Sequence, residues 1–203
     1  MSAVVVIAKE CRPGRVKTRL TPPFSPDDAA RIAAASLADT LDTVRAVSGV
    51  RRILYFDGDA STVDTAGFEV IPQSAGGLDE RLAAVFDRLT EPTLLIGMDS
   101  PQVTVDDLVP PDHDDAVLGL ATDGGFWAIG MRRPDGAPIR GVAMSRDDSG
   151  ERQRHALRAA GLTVRMLREL TDVDDAADAA SVAALVPDSR FARAVAAAGV
   201  RAG

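Results

Sequence analysis

The sequence predicts a single-domain α/β protein, built as a mostly parallel sheet covered by helices on both faces. Three observations carry that expectation. Short β-branched apolar runs such as Val4 to Ala8 have the composition of strands buried on both faces. Between them lie longer segments whose apolar residues recur every three or four positions, the spacing of an amphipathic helix. The two kinds of segment alternate along 203 residues, a length that suits one domain and can bury about seven-tenths of its unfolded surface.

The elements follow in chain order. Val4 to Ala8 forms the first strand and gives way to a polar loop, Lys9 to Pro23. Ser25 is placed to cap a helix, Pro26 suits its first turn, and Asp27 and Asp28 complement the positive end of its dipole. Ala33, Leu37, Leu41 and Val44 give that helix one apolar face as far as about Val47. Ile53 to Phe56 and Phe68 to Ile71 read as strands, and Leu78, Leu82, Val85, Phe86 and Leu89 mark a second helix. Thr93 to Gly97 is a further buried strand, expected beside Val4 to Ala8 at the sheet centre. Ala116 to Leu120 and Phe126 to Met131 are two more, joined by a turn-rich segment. A helix over Arg152 to Ala160, a strand over Leu162 to Leu167 and terminal helices from about Asp175 complete residues 1–203 without a linker or repeat. Phe191 and Val195 would serve either a homodimer contact or the end of the core.

Composition narrows the function. A net charge of −7 argues against general nucleic-acid binding, whose dominant phosphate contribution needs a basic surface. No apolar run approaches the ~20 residues of a membrane span. The start MSAVVVIAKE has no export signal, and the single cysteine, Cys11, cannot close an internal disulfide. A cytoplasmic protein without a membrane partner is expected.

In open α/β sheets ligands collect beyond the carboxyl ends of strands, where the chain order reverses. The loop after the first strand, AKECRPGRVKTRL, gathers Lys9, Arg12, Arg15, Lys17 and Arg19 in an otherwise acidic protein, and holds its only two lysines. Pro13 and Gly14 favour a turn, which lets backbone N–H groups and cations face one anion. A P-loop is excluded because Arg15 and Val16 separate Gly14 from Lys17. After Thr93 to Gly97 comes GMDSP, where Asp99 is placed to hold a hard divalent ion with help from substrate phosphates. Asp172 and Asp174 in TDVDD are candidates for a second ligand, and a turn or helix-cap role competes for each of these carboxylates. Asp123 opens a DGG turn and is a candidate acceptor contact. His113 and His155 lack any metal or triad pattern.

Taken together, AKECRPGRVKTRL, QSAGGLDERL, GMDSP, ATDGGFWAIG and TDVDDAAD resemble, in that order, the glycosyltransferase-A-like family DUF2064. The family is related to phospholactate and molybdenum-cofactor guanylyltransferases. The resemblance runs from about Val4 to Asp178 and implies the three-layer α/β/α, Rossmann-like fold of the nucleotide-diphospho-sugar transferase superfamily. It implies nucleotide binding by Ala8, Lys9, Gly14, Lys17 and Arg19 at the phosphates and by Gln73, Gly76 and Gly77 at the base. Asp99 and Asp174 would hold Mg²⁺ or Mn²⁺, and Asp123, Gly124 and Gly125 would contact a small-molecule acceptor. Arg81 matches a family arginine to which no role is attached. The sequence departs from the family at Cys11, Asp79, Ala176 and VAMSRDD around Met144 to Arg146, so the acceptor half matches less well than the nucleotide half. The expected reaction is nucleotidyl transfer from a nucleoside triphosphate to a phosphorylated acceptor, with Lys17, Arg19 and Asp99 catalytic. The alternatives are glycosyl transfer from a nucleotide-diphosphate sugar and non-catalytic nucleotide binding.

Overall fold

The computed structural model describes residues 1–202. Seven strands and five helices follow one another as β1 (Ser2–Lys9), α1 (Pro26–Ala46), β2 (Val50–Asp57), β3 (Glu69–Pro72), α2 (Leu78–Arg88), β4 (Thr93–Ile96), β5 (Ala116–Leu120), β6 (Phe126–Met131), α3 (Ser149–Ala159), β7 (Val164–Met166), α4 (Ala176–Leu185) and α5 (Arg190–Ala202). The sheet order is β3-β2-β1-β4-β6-β5-β7. All neighbouring strands are parallel except at β6, which runs antiparallel to both β4 and β5. The first and fourth strands are neighbours, with Val4 opposite Leu94 and Val6 opposite Ile96.

The period of two in β1 assigns its side chains to two cores. Val4 and Val6 pack with Leu37, Leu41 and Val44 of α1 on one face. Ala3 and Val5 pack with Leu82, Val85 and Phe86 of α2 on the other. Both faces are therefore dry, which explains why the strand reads as an unbroken apolar run rather than an alternating one. The helices start where capping chemistry predicts. Ser25 accepts from the backbone N–H of Asp28 at 3.1 Å, with Pro26 opening α1. A third cluster joins the outer face of α1, through Ala29 and Ile32, to α4 and α5 through Ala179, Val182 and Phe191. Phe191 is fully buried there and Val195 packs against the same cluster, so these residues close the chain's own core.

Several boundaries shift: β1 and β2 begin earlier than expected, at Ser2 and Val50, and β7 is confined to Val164–Met166. Phe68 lies in a turn ahead of β3, its N–H donating to the Thr65 carbonyl, and Gly97 falls just past β4. The third helix begins at Ser149, three residues before the expected start at Arg152, and Gly150 is seated against the Ala121 to Gly125 turn by an N–H bond to the Gly124 carbonyl at 2.8 Å. Among the described residues no helix is long and apolar enough to cross a membrane.

The candidate nucleotide and metal site

The chain leaves β1 toward β2 on one side and returns to β4 on the other, so the order reverses between these two strands. A cleft of about 640 Å³ opens at this reversal. Ala8, Lys9, Arg19, Gln73, Asp99, Asp123, Gly125 and Asp174 line it, whereas Gly14, Lys17, Gly76, Gly77 and Gly124 do not, Lys17 lying behind the two carboxylates it pairs with.

Lys17 is the hinge of the first loop. Its neighbour Val16 is buried against the β1 core and Leu20 against the α4–α5 core, so the segment is anchored on both sides. Between these anchors Lys17 adopts a left-handed backbone, φ 49°, a conformation that costs a non-glycine residue roughly 1 kcal/mol or more and marks functional positions. Its side chain, only 8% exposed, brings Nζ to 3.1 Å from Asp99 Oδ2 and 3.6 Å from Asp174 Oδ1. Arg19 reaches Asp174 Oδ2 at 2.8 Å from the solvent side. The remaining basic residues of the loop disperse. Arg12 pairs with Glu10 at 2.7 Å, Arg15 is exposed, and Lys9 stands on the cleft wall, its backbone N–H donating to the Met98 sulfur.

The two acidic loops are tied together by their backbones and by buried polar side chains. Val173 donates its N–H to the Asp99 carbonyl at 3.3 Å. Ser100 donates to Asp172 Oδ1 at 2.8 Å and Gln102 donates to the Thr171 carbonyl at 2.7 Å. Ser36 of α1 donates to the Met98 carbonyl at 2.8 Å, which fixes the approach to Asp99 from the helix layer. Asp175, not Asp174, caps α4 by accepting from the N–H groups of Ala177 and Asp178. The Asp174 carboxylate is thereby left for the cations. Asp99 keeps one oxygen, Oδ1, shut off from solvent and without a hydrogen-bond partner among the described residues.

Asp172 sits deeper. Burial, helped by the charges of Asp99 and Asp123, raises its carboxyl to about 6 against the opposing Ser100 hydrogen bond and Lys17 charge. Asp123 takes the turn role, its Oδ1 accepting from the Gly125 N–H at 2.8 Å, and the residue lines the cleft. Gly124 has a different task. At φ +87° a Cβ there would stand 1.8 Å from the Asp147 carbonyl oxygen, so the glycine lets the DGG turn and the Met144 to Asp147 segment lie backbone to backbone. That segment supplies part of the cleft wall, with Ser145 in a left-handed conformation at φ 58°.

The base loop is organised differently from the expectation. Gln73 lines the cleft, yet its amide is engaged by the protein, Nε2 donating to the Ala8 and Tyr55 carbonyls at 2.8 and 3.0 Å. Its Oε1 accepts from Arg81 at 2.8 Å. Gly76 and Gly77 lie just ahead of α2, Gly77 as its N-cap. The Gly77 N–H donates to Glu80 Oε2 at 3.0 Å, and a Cβ on Gly76 would stand 2.0 Å from that same oxygen. These glycines serve the helix cap, and the cleft wall passes from Gln73 to Leu78 and Arg81.

The model of the DUF2064 family, described as an uncharacterized protein conserved in bacteria, matches residues 40–146. The chain belongs to the DUF2064 family. The matched region holds Gln73, Arg81, Asp99 and the DGG turn of this DUF2064 chain, while Lys17, Arg19, Asp172 and Asp174 lie outside it. No curated protein matches the chain in sequence. A crystal structure described as a candidate nucleotide-diphospho-sugar transferase from Desulfovibrio desulfuricans G20 shares the fold with a TM-score of 0.78 at 24% identity, covering 95% of this chain and 97% of that one. CMP:2-keto-3-deoxy-manno-octonic acid synthetase complexed with CTP superimposes with a TM-score of 0.55 at 14% identity, over 92% and 98% of the two chains. A 2-C-methyl-D-erythritol 4-phosphate cytidylyltransferase from Thermus thermophilus does so with 0.53 at 15% identity, over 96% and 99%. These likenesses establish the architecture of the DUF2064 chain as that of the nucleotide-diphospho-sugar transferase fold.

Among the described residues no three His, Cys, Asp or Glu side chains gather as a metal cluster. The donor set at the rim is two carboxylates, Asp99 and Asp174, meeting at one cationic point.

Proposed function

We propose that this DUF2064 protein is a metal-dependent nucleotidyltransferase, moving a nucleoside monophosphate from a nucleoside triphosphate to a small phosphorylated acceptor with release of pyrophosphate. The observation that carries this reading is the buried Lys17 ammonium shared by Asp99 and Asp174 where β1 and β4 end. A polyphosphate needs cations and a metal needs carboxylates, and this rim offers both. The shared fold of a synthetase that binds CTP adds support.

Mg²⁺ or Mn²⁺ suits the residues present. Such ions take one or two protein carboxylates and complete their shell with water and substrate phosphate. Asp99 and Asp174 already converge on one cation, and Asp99 Oδ1 is an acceptor with nothing to accept from. When bound, the ion supplies Lewis-acid neutralisation of phosphate charge. Lys17 and Arg19 stand beside the same carboxylates and offset the charge on the transferring group. On this reading Ala8, Lys9 and Gln73 take the nucleotide, and Asp123, Gly125 and the Met144 to Asp147 segment take the acceptor; all of them line the cleft. No protein nucleophile is needed: an acceptor phosphate oxygen bonds to the α-phosphorus, the bond from that phosphorus to the α–β bridging oxygen breaks, and pyrophosphate leaves with the bonding pair.

Glycosyl transfer is the second reading, favoured by the description of the Desulfovibrio structure. Incubation with nucleoside triphosphates and with nucleotide-diphosphate sugars, against phosphorylated acceptors, separates them. Pyrophosphate release supports the first and free nucleoside diphosphate the second. Asp99→Asn abolishes metal-dependent turnover in either case, and full turnover by that variant rules out the metal assignment.

A further inference from the structure

Arg81 enters the cleft from the first turn of α2 in an unusual state. Its Nη1 is gripped by Gln73, which is itself held by two backbone carbonyls. The clamp extends one residue further, where the Ser74 N–H donates at 2.8 Å to the hydroxyl of Tyr55, a fully buried residue. One end of the guanidinium plane is thus fixed. At the other, Nε is closed to solvent without a hydrogen-bond partner, and among the described residues neither Nη2 nor any carboxylate forms a further bond with it. Held by a neutral amide and with no carboxylate beside it, Arg81 keeps both hydrogens of Nη2 and the second hydrogen of Nη1 for a ligand in the cleft.

The surroundings select what that is. Ile7, Leu78 and Leu82 line the same cleft, and such walls favour a flat ring over a hydrated anion. Arginine carries donors only, in a rigid fork. Resting on the nucleotide reading above, we propose that Arg81 reads the base, and that the base is one presenting two adjacent acceptor atoms on one edge. Guanine does so through N7 and O6, and cytosine through O2 and N3. Adenine sets an amino donor beside N7, and uracil sets N3–H between its carbonyls, so each offers the fork one acceptor at most. Gln73 is then a positioning residue, holding the plane in which Arg81 reads.

Calorimetric titration of the full chain with GTP, CTP, ATP, UTP and tripolyphosphate, at one MgCl₂ concentration, tests this. GTP or CTP is expected to bind roughly tenfold or more tightly than ATP and UTP, and whichever is tighter names the base. Arg81→Lys keeps the charge but loses the fork, and is expected to bring the four nucleotides within about threefold of one another. Tripolyphosphate affinity stays unchanged. Gln73→Met is expected to narrow the preference without abolishing it. A variant that weakens all four nucleotides and tripolyphosphate equally makes Arg81 a phosphate contact and overturns the proposal. So does a wild-type chain that prefers ATP or UTP or shows no preference, a result that needs no variant to fold. If neither nucleotides nor tripolyphosphate bind, the nucleotide reading falls and this one with it; binding without discrimination removes this one alone.

Discussion

Replacing Lys17 by methionine tests the centre of the site without changing its volume greatly. In the wild-type chain the ammonium lies 3.1 Å from Asp99 and 3.6 Å from Asp174, and the Lys17 side chain is only 8% exposed. Breaking a fully buried pair costs about 3–5 kcal/mol. The two carboxylates are 39% and 34% exposed, so water screens a good part of that and about 1–2 kcal/mol is expected to remain. For a chain of this size each kcal/mol moves Tm by about 2–4 °C, so Lys17→Met should melt about 2–8 °C below wild type. The vacated point lies between two anions, which gives the prediction a second arm. Millimolar MgCl₂ should raise the Tm of the variant more than that of the wild type, since a divalent ion then meets no competing ammonium; saturation at 100 times Kd would add ~2.7 kcal/mol. Scanning calorimetry with EDTA and with MgCl₂ measures both arms. An unchanged Tm in EDTA together with equal magnesium shifts in the two proteins would refute the placement of Lys17 between functional carboxylates.

Other outcomes can be read with similar means. Gly124→Ala forces a methyl into the Asp147 carbonyl at φ +87°, whereas Gly14→Ala, at φ +72°, meets nothing within 4 Å. Thermal unfolding should therefore show a loss of at least about 2 kcal/mol for the first and about 1 kcal/mol for the second, and equal losses would contradict the packing of the acceptor loop. Cys11, pushed up to about 11 by burial with the Asp99 charge adding, should react with iodoacetamide at pH 7.5 far more slowly than a free thiol and accelerate toward pH 11; mass spectrometry of the alkylated chain gives the rates. Asp115 is held down to about 2, chiefly by the Thr163 hydroxyl and then by Arg132. Its folded pKa lies below its unfolded one, so its contribution to stability is present above about pH 4. That contribution fades as pH falls toward 2, and the Tm gap between wild type and Asp115→Asn should close over that window.

Much of the architecture was readable from the chain because it is encoded locally. A strand covered on both faces must be apolar at successive positions, and Val4 to Ala8 and Leu94 to Ile96 are. A helix on a sheet must repeat its apolar residues at 3.6, and Leu37, Leu41 and Val44 do. Ser25 and Pro26 announce the start of α1 because an N-cap is a contact between residues three apart. The rule that ligands gather where strand order reverses pointed to the basic loop from Lys9 to Arg19, to Asp99 and to Asp172 or Asp174, and the family resemblance singled out Lys17, Arg19 and Asp174 among them.

The sequence determined this inventory of elements and the charged loops at one edge of the sheet; the tertiary structure decided which side chains meet and which are already engaged. Arg19 and Asp174 are 155 residues apart in the chain, and no periodicity records their contact. Lys17 turns inward because Val16 and Leu20 are drawn into two different cores, a constraint set by α1, α4 and α5 together. Gln73, Gly76 and Gly77 were legible as a loop, but the acceptors and donors they satisfy come from Ala8, Tyr55, Arg81 and Glu80. Hydrogen bonding of that kind is settled by groups brought close only after the sheet has closed; it occupies the Gln73 amide on both sides and engages Arg81 through Nη1, with both residues lining the cleft.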